Sequence, residues 1–258
     1  MKFELARRAA ESRKMKFQAI HFAAGGRSRV ARAAGYGDFT AAGPIVESLT
    51  ALPPNVSCLA IDPKGPKYYT ISGHGVAELD LNAGKLMSFE VDDELPTLSW
   101  PCGLTFDTKR RRLLLASLGG VGYLYSFEPD RKRWSVLTDM ANIDLCALTY
   151  AADEDCLYGV GMPRGSEGPI DTIRKFDPQG APIGQLALSK PMQSAAHQQK
   201  VQIVAVGQQL VLLGSPYLDS NGREELAGHC LVVNRETGEV LYSNEYRSEP
   251  EDESVAEK

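Results

Sequence analysis

The chain has 258 residues, 43% of them apolar and 24% charged, with a formal net charge of −5. That length can bury a sizeable core, the balance is ordinary for a soluble globular protein, and the negative sign opposes a nucleic-acid partner. No stretch reaches the ~18–20 apolar residues of a membrane span, so no membrane partner is expected.

The start, MKFELARRAAESRKMKFQ, is basic but leads into no apolar run, and is expected not to be a secretory signal. Lys2–Lys14 reads either as a short helix or, over Lys2–Arg8, as one arm of a hairpin with Lys16–Phe22. Phe17–Phe22 and Ser28–Arg32 flank Gly25-Gly26 and read as two strands around a turn.

From residue 57 a block recurs. Ser57-Cys-Leu-Ala-Ile-Asp62 aligns with Cys102-Gly-Leu-Thr-Phe-Asp107 after 45 residues, and that block with Cys146-Ala-Leu-Thr-Tyr-Ala151 after 44 more. Each repeat divides into four short strands, A to D, rich in β-branched and aromatic residues. They are expected at Ser57–Ile61, Tyr68–Ser72, Val76–Leu81 and Leu86–Val91, then at Cys102–Phe106, Arg112–Ser117, Gly122–Phe127 and Arg133–Leu137. The third set is Cys146–Tyr150, Cys156–Gly161, Thr172–Phe176 and Ile183–Leu188, and the fourth Val201–Val206, Gln209–Leu213, His229–Val233 and Val240–Ser243. After strand C comes a turn opened by Asp80, Glu128, Asp177 or Asn234, whose side chains suit bonding to amides two residues on. The runs Lys109–Arg112 and Arg131–Arg133 fall at hairpin turns and read as solvated charge.

A period of this size filled with short strands specifies an all-β β-propeller. Five blades of four-stranded antiparallel sheet are expected, with four blades plus an N-terminal appendage as the alternative. Residues 1–50 would form an incomplete or divergent blade, residues 51–247 four blades of the same domain, and residues 248–258 a disordered acidic tail. The strand–turn grammar, with Asp62-Pro63 and Asp107-Thr108 after strand A, resembles the broad class of NHL, YVTN and SMP-30-like propellers over roughly residues 55–245.

The A–B and C–D turns are short in every repeat, whereas long connections at Asp92–Pro101, Met162–Asp171, Ser189–Lys200 and Ser215–Gly228 gather on the D–A/B–C face. Long loops on a rigid scaffold commonly carry function, so this is the expected binding face. Two positions before Ser57, Cys102, Cys146 and Gln202, at the channel mouth, stand Asn55, Trp100, Asp144 and Lys200. The B–C loops add His74, Arg164, Glu167, Asp171, Tyr217, Asp219, Arg223 and His229. Trp100 reads either as a recognition platform or as a plug between blades, and the acids Asp92-Asp93-Glu94 could attract a cation or a basic peptide.

Catalytic chemistry is poorly supplied. A lactonase of the SMP-30 kind, as the resemblance implies, would gather several oxygen ligands about a divalent ion. Here Asn55 and Asp144 share the ring with Trp100 and Lys200, whose ammonium opposes a cation. No GxSxG, P-loop or HExxH is present, and no histidine pair has zinc spacing. The reading leans away from an enzyme and towards a non-catalytic module for a protein, peptide or small polar ligand, without cofactor or metal. A metal-dependent hydrolase, lactonase or lyase at the channel mouth is the alternative. Five cysteines, an odd number with no CxxC pair, read as reduced core thiols and lead to the expectation of a cytoplasmic protein.

Overall fold

A computed structural model describes residues 58–64, 67–80, 85–117, 122–140, 143–163, 169–192, 201–214 and 228–246, together with the strands of 20–51 and 217–226. Near the N-terminus β1 (Ile20–Ala24), β2 (Arg27–Ala33) and β3 (Val46–Ala51) pair antiparallel in that order. The hairpin expected around Gly25-Gly26 is therefore present, with a third strand that the sequence pattern did not reveal. The helix or hairpin expected at residues 2–14 and the tail at 248–258 lie outside the described residues.

Four antiparallel four-stranded sheets follow and form the blades of a β-propeller. Blade one holds β4 (Ala60–Asp62), β5 (Lys67–Ser72), β6 (Gly75–Asp80) and β7 (Lys85–Glu90). Blade two holds β8 (Pro101–Asp107), β9 (Arg112–Ser117), β10 (Tyr123–Glu128) and β11 (Arg133–Asp139). Blade three holds β12 (Ile143–Ala151), β13 (Cys156–Pro163), β14 (Ile170–Phe176) and β15 (Pro182–Met192). In blade four, β16 (Val201–Val206) and β17 (Gln209–Gly214) are followed by a two-stranded ribbon, β18 (Tyr217–Leu218) and β19 (Glu224–Leu226), before β20 (Gly228–Asn234) and β21 (Val240–Tyr246). Of the two blade counts that the sequence allowed, four is the number of four-stranded blades seen. Strand D of blade three runs four residues beyond its expected end at Leu188.

The core lies between the blades. Tyr69, Ile71 and Val76 of blade one meet Leu113, Leu115 and Phe127 of blade two. Leu114 and Ala116 point the other way, onto Leu145, Leu148 and Leu157 of blade three. β9 is thus buried on both faces, which is why Leu113–Ala116 is a continuous apolar run rather than an alternating one. Tyr158, Val160 and Ile173 in turn meet Ile203, Leu212 and Leu231 of blade four.

Inner strands raise a separate difficulty. A strand that pairs on one edge leaves backbone groups on the other, and buried ones must find partners. The neighbouring blade supplies them. Thr105 Oγ1 accepts from Tyr150 N at 3.0 Å, and Thr149 Oγ1 accepts from Ala205 N at 3.2 Å. The Cys58 thiol donates to Cys102 O at 2.8 Å, and the Cys102 thiol to Leu145 O at 2.6 Å. Cys102 and Cys146 each occupy a bulge, the extra residue between paired positions. Cys146 Sγ donates within its own blade, to Val160 O at 3.2 Å. Between the bulges Gly103 is required by close approach, since a Cβ there would lie 3.0 Å from Leu148 N and Cβ.

The short-turn face carries a belt of arginines, and here the solvated reading of Lys109–Arg112 is corrected. Arg111 makes a forked pair with Asp62 of blade one at 3.0 and 2.6 Å. Arg110 makes another with Asp155 of blade three at 2.7 and 3.0 Å. Arg112 bonds Asp107 at 3.1 Å and Pro178 O at 2.6 Å. Arg235 of blade four, 3% exposed, reaches Asp153 of blade three. The run is basic because it faces the acidic turns of two neighbours. Asp177 and Asn234 have the turn-forming role expected of them, each side chain accepting two backbone N–H bonds.

Burial raises the Asp62 carboxyl, but the Arg111 guanidinium and the Lys64 N–H outweigh it and hold the group below its ordinary 3.8. The Arg235 guanidinium holds Asp153 below the same value. Both folded values are depressed, so their stabilisation is complete above the unfolded value and is lost as pH falls through the folded one. Unfolding stability is therefore expected to be flat near neutrality and to decline below about pH 4. Asp62→Asn and Asp153→Asn should be less stable at pH 7 and show a shallower acid decline, measured by urea unfolding across pH. Arg111→Met should cost about 1–2 kcal/mol, because it leaves the buried Asp62 carboxylate short of its charged partner.

None of the five cysteines is disulfide-linked. Burial pushes the Cys146 and Cys230 thiols up to about 12 and Cys156 to about 11, which suppresses the reactive thiolate. A thiol reagent such as DTNB should titrate Cys58 alone in the native protein on a timescale of minutes and all five cysteines in denaturant.

Candidate functional site

The inner strands of all four blades surround one central cavity of about 40 Å³, lined by Cys58, Cys102, Gly103, Ala147, Gln202 and Val204 among others. That volume holds roughly three waters, at 10–15 Å³ of accessible space each. A larger ligand does not fit within this cavity.

On the D–A/B–C face the connection 91–100 is the best defined. Val91 N donates to His74 O at 3.1 Å, and Leu95 N to Asp92 O at 2.9 Å. Leu98 is buried among the residues between blades one and two, and Tyr125 donates its hydroxyl to Pro96 O at 2.8 Å. This anchored segment presents Asp92, Asp93 and Glu94 to solvent and ends in Trp100. Trp100 is 70% exposed, so it is no plug between blades. Its backbone has φ of 51°, in the left-handed region that a bulky side chain seldom adopts. The other tryptophan, Trp134, is 4% exposed and packs on Phe127 and Tyr125.

Asp144 is half-buried near the start of β12, opposite Met162. Burial is the main cause of the raised Cys102 and Cys146 thiols, and the Asp144 carboxylate adds to it at both. His74 is exposed in the tight Gly73-His74 turn between β5 and β6, where Gly73 has φ of 54°. His229 is 7% exposed and is the second residue of β20, whereas His74 lies one residue before β6. Asp171 is exposed on β14 and accepts from Thr172 Oγ1 at 3.0 Å. Tyr217 belongs to the β18–β19 ribbon. Asn55, Arg164, Glu167, Lys200, Asp219 and Arg223 lie outside the described residues.

Trp100 and Asp144 thus stand at the inner strands, with His74 in the B–C turn of blade one and Asp171 near the start of β14 in blade three. Blade four carries a correction of register. The bond from Ala205 N to Thr149 repeats that from Tyr150 N to Thr105, which aligns Val204 with Thr149 and Val201 with Cys146. Counted from Val201, two positions back is residue 199, one before Lys200. Gln202, which the sequence reading used only as an alignment mark, lines the cavity. The spacing of Thr105 and Thr149 was the available signal, but valine replaces threonine in the fourth block. Among the described residues no three metal-ligating side chains converge.

No protein-family model and no curated protein matches the chain. Among solved structures it is similar to TolB from Acinetobacter baumannii, with a TM-score of 0.50 and 14% identity over 83% of this chain and 50% of that one. It is similar to a structure of a nidogen/laminin complex, with a TM-score of 0.50 and 11% identity over 87% and 92%. A third likeness is to hydrazine synthase of Kuenenia stuttgartiensis, with a TM-score of 0.47 and 13% identity over 74% and 49%. The chain spans about half the length of the TolB and hydrazine synthase chains. The likenesses to TolB and to the nidogen/laminin structure show a shared β-propeller fold.

Proposed function

We propose that the protein is a non-catalytic binding module that receives a protein or peptide on its D–A/B–C face. The observation that carries this reading is Trp100, 70% exposed and held in a left-handed backbone at the end of an anchored connection. Such a conformation costs of the order of 1–3 kcal/mol and is retained where the surrounding structure imposes it, often at ligand contacts. An indole offered to solvent supplies the large, stiff contact area that dominates many interfaces. The exposed Asp92, Asp93 and Glu94 on the same connection favour a partner surface of positive charge. One of the similar structures is that of a nidogen/laminin complex, a precedent for a propeller engaging another protein. Core thiols that donate to neighbouring carbonyls must stay reduced, which fits a cytoplasmic setting.

Wild type, Trp100→Gly and the opposite-face variant Glu128→Lys, each immobilised at full length, would be compared for capture from an extract of the native cell. Trp100→Gly is expected to lose at least tenfold of a partner that Glu128→Lys retains. Its stability should stay within about 1 kcal/mol of wild type, because glycine suits the positive φ but frees the unfolded chain. Its remaining emission, from the buried Trp134, should be blue-shifted and poorly quenched by acrylamide, which checks folding. Equal capture by all three proteins would overturn the assignment of this face.

A further inference from the structure

The three junctions between chain-neighbour blades are built alike. Each has an apolar cluster, an inner-strand bond from a thiol or threonine and an arginine clamp on the short-turn face. Among the described residues no cluster, bond or clamp of this kind joins blade four to blade one.

The two sheet faces at that fourth junction are nevertheless largely apolar, covered in blade one and partly covered in blade four. In blade one, Tyr69, Ile71 and Val76 face blade two. By strand alternation Tyr68, Ala77 and Leu79 face away, and they are 7%, 0% and 3% exposed. In blade four, Ile203, Leu212, Leu231 and Val233 face blade three. Val206, Cys230 and Val232 face away and are 6%, 3% and 3% exposed. Among the described residues no shared apolar cluster joins these two faces.

We propose that the N-terminal sheet β1–β3 is seated between blade four and blade one and closes the ring. Its order and antiparallel pairing are those of strands B, C and D of a blade. β3 leads to β4 through residues 52–59, eight residues, against ten between β7 and β8 and eight between β15 and β16. A sheet seated there would cover both apolar faces at once. The segment is then part of the domain and not an appendage to it.

The full-length chain with Leu49→photomethionine in β3, and separately Ile20→photomethionine in β1, would be irradiated and digested for mass spectrometry. Light and ¹⁵N-labelled chains would be mixed beforehand. Together the two positions are expected to crosslink to peptides of both 58–90 and 201–246, each at least several-fold above peptides of blades two and three, and only within chains of one isotope. Crosslinks that never reach 201–246, or no crosslinks at all, would overturn the proposal. Crosslinks joining light to heavy chains would overturn it in favour of a second copy supplying the sheet.

Discussion

The unpaired edge of each inner strand is the constraint on which this fold turns. A blade satisfies its own ladder but leaves the channel side of strand A with backbone groups that water cannot fully serve in a cavity of about 40 Å³. Thr105 and Thr149 answer for two N–H groups, and Cys58 and Cys102 for two carbonyls, each across a junction. The same junctions carry the apolar clusters between blades, so bonding and burial act at one seam.

The same constraint explains why the repeat could be read at all. The recurring block Cys102–Asp107 and Cys146–Ala151 is the bulge, the bonding threonine and the strand between them. Blade four has Val201 and Val204 at these places, so the pattern fades and the alignment slips by one residue. Strand positions elsewhere were legible because alternation and turn residues mark them. The arginine run was not, because its acidic partners lie 45 and 49 residues away in sequence, and a local reading of charge sees only a hydrated turn. Trp100 was legible as a candidate by its position before Pro101, but only its exposure separates a platform from a plug.

The two faces divide their labour. The short-turn face spends its charge on neighbouring blades, so Arg110, Arg111, Arg112 and Arg235 are occupied internally. The other face leaves Asp92, Asp93, Glu94, His74 and Trp100 open to solvent. Rigidity on one side and accessible groups on the other is the arrangement expected of a scaffold that presents fixed loops.

The inter-blade bonds also bear on the order in which the molecule is built. Each of those named here joins a blade to the next along the chain, so every blade has a finished template as soon as its predecessor has formed. Assembly of this kind resembles the stacking of a repeat array, in which structure propagates from neighbour to neighbour. A ribosome delivering the chain from its N-terminus would therefore release blades in the order in which they can dock.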